Sequence, residues 1–201
     1  RTVQSAARGM VCTSPPLAAQ ARLETLKRGG NAADAAVATA ADITVVEPTS
    51  NGIGSDAFAL VWQDGRPSWL TAAGPAPAAL DMDAARKAGW GSGDGHLPAY
   101  GWAPVTVPGA PAAWAALTRS CGKLTLADNL APAIQLARDG HAVALTVSWY
   151  WRKAWERYSA GLPGVDQGLL AEWFRVFAPG GHAPKPGEAW ASPYHEQTLT
   201  G

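Results

Sequence analysis

The chain has 201 residues, and its 16 basic and 16 acidic side chains give a formal net charge of zero. Balanced and scattered charge argues against a nucleic-acid or anionic-membrane binder that relies on a strong electrostatic field. The hydrophobic fraction of 47% and charged fraction of 16% are typical of a folded globular chain. No apolar run approaches the ~20 residues of a membrane-spanning helix, so we expect no membrane span.

Cysteine and histidine usage gives no sign of a disulfide framework or a metal site. Two cysteines suggest two separate buried thiols, and a single bridge is the alternative. None of the four histidines has zinc-ligand spacing, so we expect each on the surface or in a loop, with no metal and no cofactor. A Gly-x-Ser-x-Gly nucleophile motif is also absent. These residues are Cys12, Cys121, His96, His141, His182 and His195.

The first predicted elements are a short buried strand at 9–13 and a helix with Ser14 as its N-cap. Gly29-Gly30 permits a left-handed end for this helix. The i, i+4, i+7 spacing predicts a buried face that carries Ala19, Leu23 and Leu26.

A second helix is predicted at 32–43, where nearly every residue is Ala, Val or Ile. Asn31 is its N-cap, and Asp34 stands in a capping-box position three residues later. Glu47-Pro48 ends it, because the residue before proline is disfavoured in the α conformation.

A β-hairpin is predicted next, with strands at 57–63 and 67–71. Asp64-Gly65 lies between them and suits the positive φ angles of a tight hairpin turn. Beyond it we predict a short helix at 81–88, a flexible loop at 89–96 and a strand at 103–107.

The chain after residue 108 is predicted to be mostly helical, which makes the fold class mixed α/β. A helix is expected at 110–119, and Thr125 and Asp128 form a second capping-box pattern. Pro132 predicts a kink or restart in the helix that follows, because proline lacks the backbone N–H. Carboxylates such as Glu156 are expected on a solvated face.

Aromatic residues are concentrated in this helical part. One helical stripe carries Val147, Trp151, Trp155 and Tyr158, and a second apolar cluster carries Leu169, Leu170, Trp173, Phe174 and Phe177. Trp149, Trp151 and Trp155 could form a stacking platform for a ligand. A core or subunit-interface stripe is the favoured interpretation.

The most unusual segment is the glycine turn Glu-Pro-Thr-Ser-Asn-Gly-Ile-Gly-Ser-Asp at 47–56. Asn51, Gly52, Gly54 and Ser55 can present consecutive N–H groups as a small anion-binding nest. A dinucleotide site is not expected, since a helix precedes the turn and a strand follows it. A purely structural turn that lets the strand tuck under the helix is favoured over a direct ligand contact.

Five ordered motifs resemble the γ-glutamyltranspeptidase family. They are GMVCTSPPLAAQ, LKRGGNAADAAVA, VVEPTSNGIGSDAFALV, VPGAPAAW with LAPAIQLARDG, and PKPGE at 184–188. Residues 9–75, about 103–140 and 184–188 carry the match, whereas 141–183 match only loosely. The chain is therefore identified as a single partial domain, 1–201, from the N-terminal portion of such a large subunit.

The resemblance implies part of the αββα sandwich of an N-terminal-nucleophile hydrolase. Such a precursor cleaves itself before a threonine, whose hydroxyl then attacks the γ-glutamyl amide while its own amine acts as the base. The expected partners are a small subunit from the same precursor and a small peptide or γ-glutamyl amide substrate. The location stays open between periplasmic, secreted and cytoplasmic.

Two departures from the family pattern affect the expected function. No family-like Thr-Thr or Thr-His segment occurs, so no catalytic residue is assigned to this chain. Ala73 occupies the position where the family places an arginine for the substrate's α-carboxylate, and alanine has no guanidinium to bind it. A γ-glutamyl transferase or hydrolase is the first hypothesis. A related acylase for glutaryl or β-lactam side-chain amides, and an inactive fragment, are the alternatives.

Overall fold

Helices and short strands alternate through the part of the chain that a computed structural model describes, namely residues 3, 5–7, 9–90, 96, 98–162 and 165–201. The mixed helix-and-sheet class is confirmed, as is the mostly helical character after residue 108. Within the predicted loop at 89–96, residues 91–95 lie outside this description. The elements are α1 (Pro16–Lys27), α2 (Ala32–Val46), β1 (Ala57–Gln63), β2 (Arg66–Ala72), α3 (Met82–Lys87), α4 (Ala110–Cys121), α5 (Leu126–Asp139), β3 (His141–Ala142), α6 (Leu145–Ser159), α7 (Gln167–Phe177), β4 (Ala189–Trp190) and α8 (Pro193–Thr200).

Helix α2 is the central element of the first core. It packs against α1, α4 and α5, and its small side chains let these neighbours approach closely. The core cluster it shares with α4, α5 and α8 consists of Val37, Ala41, Val45, Ala110, Trp114, Ala133, Ala137 and Leu199.

The capping box predicted at the start of α2 is present and extends beyond the helix. The Asn31 side chain accepts hydrogen bonds from the N–H groups of Ala33 and Asp34, and Asn31 N–H donates to Asp34 Oδ2. The fully buried Asp34 carboxylate also accepts from Lys123 N, Leu124 N and Asn129 Nδ2, at 2.9, 3.2 and 3.1 Å. Asp34 therefore joins α2 to the α4–α5 connection as well as capping its own helix.

Hydrogen bonding determines the ionisation of Asp34. Burial raises the pKa of this carboxyl, but the hydrogen bonds from the backbone and Asn129 outweigh that effect and leave the pKa below its ordinary value. A charged carboxylate with this many donors is strongly held. Its removal would leave several buried N–H groups unpaired, at about 1–3 kcal/mol each.

The predicted hairpin is confirmed, with Asp64 and Gly65 at its turn. Their φ angles of 52° and 75° match the turn that follows the right-handed twist of the strands. Leu60 pairs with Trp69, and Ala57 with Ala72. One face of the hairpin packs towards α4. The other face is apolar and exposed, with accessible fractions of 68% for Phe58, 78% for Leu60, 72% for Trp62 and 77% for Trp69.

A second core lies between α6, α7 and the short β3–β4 pair. Trp151 is buried at its centre, donates from Nε1 to Phe177 O at 2.8 Å, and meets the Trp190 ring edge-on. The surrounding cluster includes Val143, Val147, Trp173 and Phe177. Ser148 Oγ donates to Pro184 O and ties the start of α6 to this core.

Helix α5 is continuous through Pro132, so the helix does not restart there as the sequence had allowed. Proline cannot donate to the carbonyl of Asp128 four residues earlier. The Arg28 guanidinium donates to that same carbonyl oxygen at 3.1 Å. A side chain from the end of α1 thus supplies the hydrogen bond that Pro132 lacks.

Four other predictions were wrong: two strands, the N-cap of α1 and the buried face of α1. Residues 9–13 and 103–107 form no strand, since neither segment pairs with another strand among the described residues. The N-cap of α1 is Pro15, because the Ser14 hydroxyl donates to Glu47 instead. The buried face of α1 carries Ala18 and Thr25, while Leu23 is 46% exposed.

Both cysteines are free thiols, with Cys12 exposed and Cys121 partly buried. The two-thiol interpretation is therefore confirmed over a bridge, although Cys12 is not buried as predicted. Among the described helices, none combines the length and the apolarity that crossing a bilayer requires.

Candidate functional site

The glycine turn begins where α2 ends at Glu47. The Glu47 carboxylate accepts a hydrogen bond from Ser14 Oγ at 2.6 Å, and its backbone carbonyl accepts one from Asn51 Nδ2 at 3.3 Å. Ile53 packs against the core cluster shared by α2 and α4. The turn is therefore held at its start by polar contacts and at its middle by an apolar anchor.

Ser55 closes the turn and connects it to the next helix. Its N–H and its hydroxyl both donate to Gly52 O, at 3.1 and 2.6 Å. Its carbonyl accepts from Gly109 N and Ala110 N, at 3.1 and 2.8 Å. Helix α4 has no side-chain cap, so this carbonyl satisfies two N–H groups at its N-terminus.

Glycine is not required at Gly52 or Gly54 by anything the structure describes. A Cβ atom at either position would meet nothing within 4 Å, and neither residue has a positive φ angle. Gly74 and Gly109 differ from them: a Cβ there would lie 1.8 Å from Val107 O and 1.9 Å from Ala72 O. The close backbone approaches in this region are therefore made by Gly74 and Gly109.

Ala73 lies at the same end of the hairpin as the glycine turn. It follows Ala72, whose strand partner Ala57 comes two residues after Ser55. Ala73 is half-buried, and its carbonyl accepts a hydrogen bond from Thr106 Oγ1 at 3.3 Å. The structure thus brings together the turn residues and the position at which the family resemblance predicts a substrate contact.

A cavity of about 320 Å³ separates the glycine turn from α7 and α8. Its lining includes Asn51, Gly52 and Gly54 of the turn, Phe177 of α7 and His195 of α8. The turn therefore presents its open side to a space large enough for a small ligand group.

His195 is buried, and so is His141, which corrects the prediction that both lie on the surface or in loops. The His195 ring contacts Ser192 Oγ through Nδ1 at 2.7 Å and hydrogen-bonds to the backbone of Thr44. Burial lowers its pKa, and the bond to Thr44 only partly opposes that change. A neutral His195 thus ties α8 to the end of α2, next to the turn. The residues that bury His195 are distant in sequence, so no local sequence pattern predicted its burial.

The tryptophans of α6 do not form one platform. Trp151 is buried in the second core, whereas Trp149 is 47% exposed and stacks edge-on with Tyr150. The core interpretation is confirmed for Trp151. Within the described ranges, no group of three or more His, Cys, Asp or Glu side chains is arranged to hold a metal ion.

The described helices, the β1–β2 hairpin with its exposed apolar face and the glycine turn at one end of that hairpin define a mixed helix-and-sheet protein. Residues 18–201 match the family profile described as Gamma-glutamyltranspeptidase. The chain belongs to the γ-glutamyltranspeptidase family.

Curated relatives and a solved structure extend this result. The glutathione hydrolase-like YwrD proenzyme of Bacillus subtilis is 32% identical over 89% of this chain and 32% of its own length. The oxamate amidohydrolase proenzyme of Klebsiella pneumoniae is 32% identical over 95% of this chain and 35% of its own length. The crystal structure of a cephalosporin acylase from Bacillus halodurans superimposes with a TM-score of 0.88 and 48% identity, covering 100% of this chain and 38% of that chain. The chain thus spans about a third of the length of the relatives it matches.

Proposed function

We propose that this chain is the N-terminal, non-nucleophilic portion of an amide-cleaving enzyme with an αββα fold, and that residues 1–201 are one partial domain of it. The exposed outer face of the β1–β2 hairpin supports this proposal. Four large apolar side chains on one sheet face are expected to be covered by another layer of protein. We propose that the covering layer and a small catalytic subunit come from the same precursor.

The nucleophile in this proposal is a threonine outside the chain. Its hydroxyl attacks the scissile carbonyl and its own α-amine takes the hydroxyl proton. That proton then passes to the substrate's leaving nitrogen as the C–N bond breaks, and an acyl-enzyme forms. Water or an acceptor amine then takes the acyl group. Thr198 and Thr200 are unsuitable, since each hydroxyl donates to a carbonyl within α8, and both lie within the chain and not at an N-terminus.

In this proposal the half-buried position 73, occupied by alanine, determines which acyl group is accepted. No arginine lies between Arg66 and Arg86 in the sequence, so this segment has no guanidinium for an α-carboxylate. The 48% identity with a cephalosporin acylase agrees with an acyl group that lacks an amino-acid head. We therefore propose a glutaryl-type or related side-chain acylase. A γ-glutamyl transferase or hydrolase on glutathione-like donors is the second candidate, supported by the likeness to a glutathione hydrolase-like proenzyme.

A pair of anilide substrates separates these candidates. The full-length, self-processed protein should release the anilide from glutaryl anilide and act poorly on γ-glutamyl anilide. Ala73→Arg should improve kcat/KM for the γ-glutamyl substrate at least roughly tenfold, because a guanidinium binds a carboxylate bidentately. Ala73→Lys serves as the control, since lysine supplies charge without the fork.

Three outcomes would contradict the proposal. A parent protein that prefers the γ-glutamyl anilide would favour the second candidate. Equal substrate profiles for the parent and Ala73→Arg would show that position 73 does not select the acyl group. A full-length protein that neither cleaves itself nor turns over either anilide would identify an inactive member.

A further inference from the structure

The segment 106–109, here named the Val-Pro-Gly strap, belongs to no helix or strand and yet makes specific contacts. It carries the Val-Pro-Gly motif that the proposed reaction does not explain. Val107 N donates to Pro75 O at 3.0 Å, and Thr106 Oγ1 donates to Ala73 O at 3.3 Å. The strap therefore lies along the segment that carries position 73.

Two glycines allow this close approach. Gly74 has a φ of +74°, and an added Cβ would lie 1.8 Å from Val107 O. Gly109 is buried, and an added Cβ would lie 1.9 Å from Ala72 O. Side chains at either position would push the strap away from residues 72–75. The sequence thus places glycine on both sides of this contact.

The strap also reaches the glycine turn. The N–H groups of Gly109 and Ala110 both donate to Ser55 O, and the hydroxyl of Ser55 closes the turn onto Gly52. A continuous set of hydrogen bonds therefore runs from Gly52 through Ser55 and the strap to Ala73. Displacement of the strap would therefore move both the glycine turn and the segment that carries position 73.

We propose that Thr106 is a positioning residue, whose hydroxyl fixes the backbone at Ala73 and so sets how the acyl end of the substrate is bound. This inference rests on the proposed function, because only the proposed function assigns position 73 to substrate binding. Thr106 is half-buried and acts through Ala73 rather than on the reacting atoms. Its effect is therefore expected in substrate binding and not in the chemical step.

Thr106→Val and Thr106→Ser in the full-length protein test this role, with Thr200→Val on α8 as a control, since the exposed Thr200 hydroxyl also donates to a backbone carbonyl. Thr106→Val keeps the shape and removes the donor, whereas Thr106→Ser keeps the donor. In Thr106→Val, KM for whichever anilide the parent cleaves should rise about fivefold while kcat stays within about twofold. Thr106→Ser and Thr200→Val should retain the parent KM.

Hydrogen–deuterium exchange supplies a readout that needs no turnover. The Val107 amide, which donates to Pro75, and the Ala73 and Gly74 amides should exchange faster in Thr106→Val, with no change in the capped start of α2. Unchanged exchange, or an unchanged KM despite faster exchange, would overturn the proposal. An equal fall in kcat, rise in KM and fall in melting temperature in the Val and Ser variants would also overturn it, since these changes indicate a general structural role. If the parent cleaves neither anilide, the proposed function fails, and exchange alone decides whether Thr106 fixes this segment.

Discussion

His141 and His195 are two buried histidines whose ionisation couples to folding. Burial lowers the pKa of both rings from the ordinary value of 6.5. Among the described residues, neither ring nitrogen of His141 has a hydrogen-bond partner. Both histidines are therefore expected to be neutral in the folded protein near pH 7.

We predict that stability falls as the pH drops below about 6.5. There the unfolded chain binds protons that the folded chain resists, so each histidine adds a slope of up to about 1.4 kcal/mol per pH unit. The stability linked to the two neutral histidines is complete above about pH 6.5. It decreases as the pH falls from there to the folded pKa values. Melting temperatures of the full-length protein between about pH 5 and 8 measure it.

His141→Phe with His195→Gln is the matching control. The double variant should show a flatter pH dependence than the parent over the same range. An equally steep loss in both proteins would assign the acid sensitivity to other groups.

Among the elements, α5 illustrates how a local rule fails through a distant contact. Pro132 predicts a kink or restart, yet the helix continues, and Arg28, 104 positions earlier in the sequence, donates to the freed Asp128 carbonyl. No window of sequence around Pro132 contains that information. The same reason explains the two missing strands, since a strand requires a partner that its own residues do not specify.

Arg28→Met should lower the free energy of unfolding by about 1 kcal/mol, because it leaves the Asp128 carbonyl without its donor. In a Pro132→Ala background the same change should have little effect, since the introduced alanine can donate its own N–H to that carbonyl. A double-mutant cycle measured by thermal unfolding tests this coupling. Additive effects of the two changes would contradict it.

Local signals predicted other elements well. Both capping boxes and the Asp64-Gly65 turn were confirmed, because each depends on residues only a few positions apart. For the candidate site, the sequence singled out Asn51, Gly52, Gly54, Ser55 and Ala73. The contribution of Thr106, Gly109 and His195 could not be predicted, since they reach the site through tertiary contacts.

At the scale of the whole molecule, the outer face of the hairpin is expected to affect solubility and thermal stability. Leu60 and Trp69 stand opposite each other on this face and are largely exposed. Leu60→Lys with Trp69→Glu should make the 201-residue chain more soluble. In the full-length protein the same pair should lower the melting temperature by roughly 5–10 °C, because the two charges become buried.

Reversal of the exposed Asp83–Arg86 pair on α3, as Asp83→Lys with Arg86→Glu, is a control with the same net charge. This reversal should leave the solubility of the chain and the melting temperature of the full-length protein unchanged. A full-length Leu60→Lys, Trp69→Glu protein that melts at the parent temperature would show that this face stays in contact with water.

The same face has a consequence during synthesis on the ribosome. The polypeptide emerges from its N-terminus at roughly 5–20 residues per second, so β1 and β2 are complete before any later segment can cover them. During that interval the nascent chain exposes an apolar surface of tryptophan, leucine and phenylalanine side chains. In the proposed longer precursor, protection by a chaperone at this stage would then determine the yield of active enzyme.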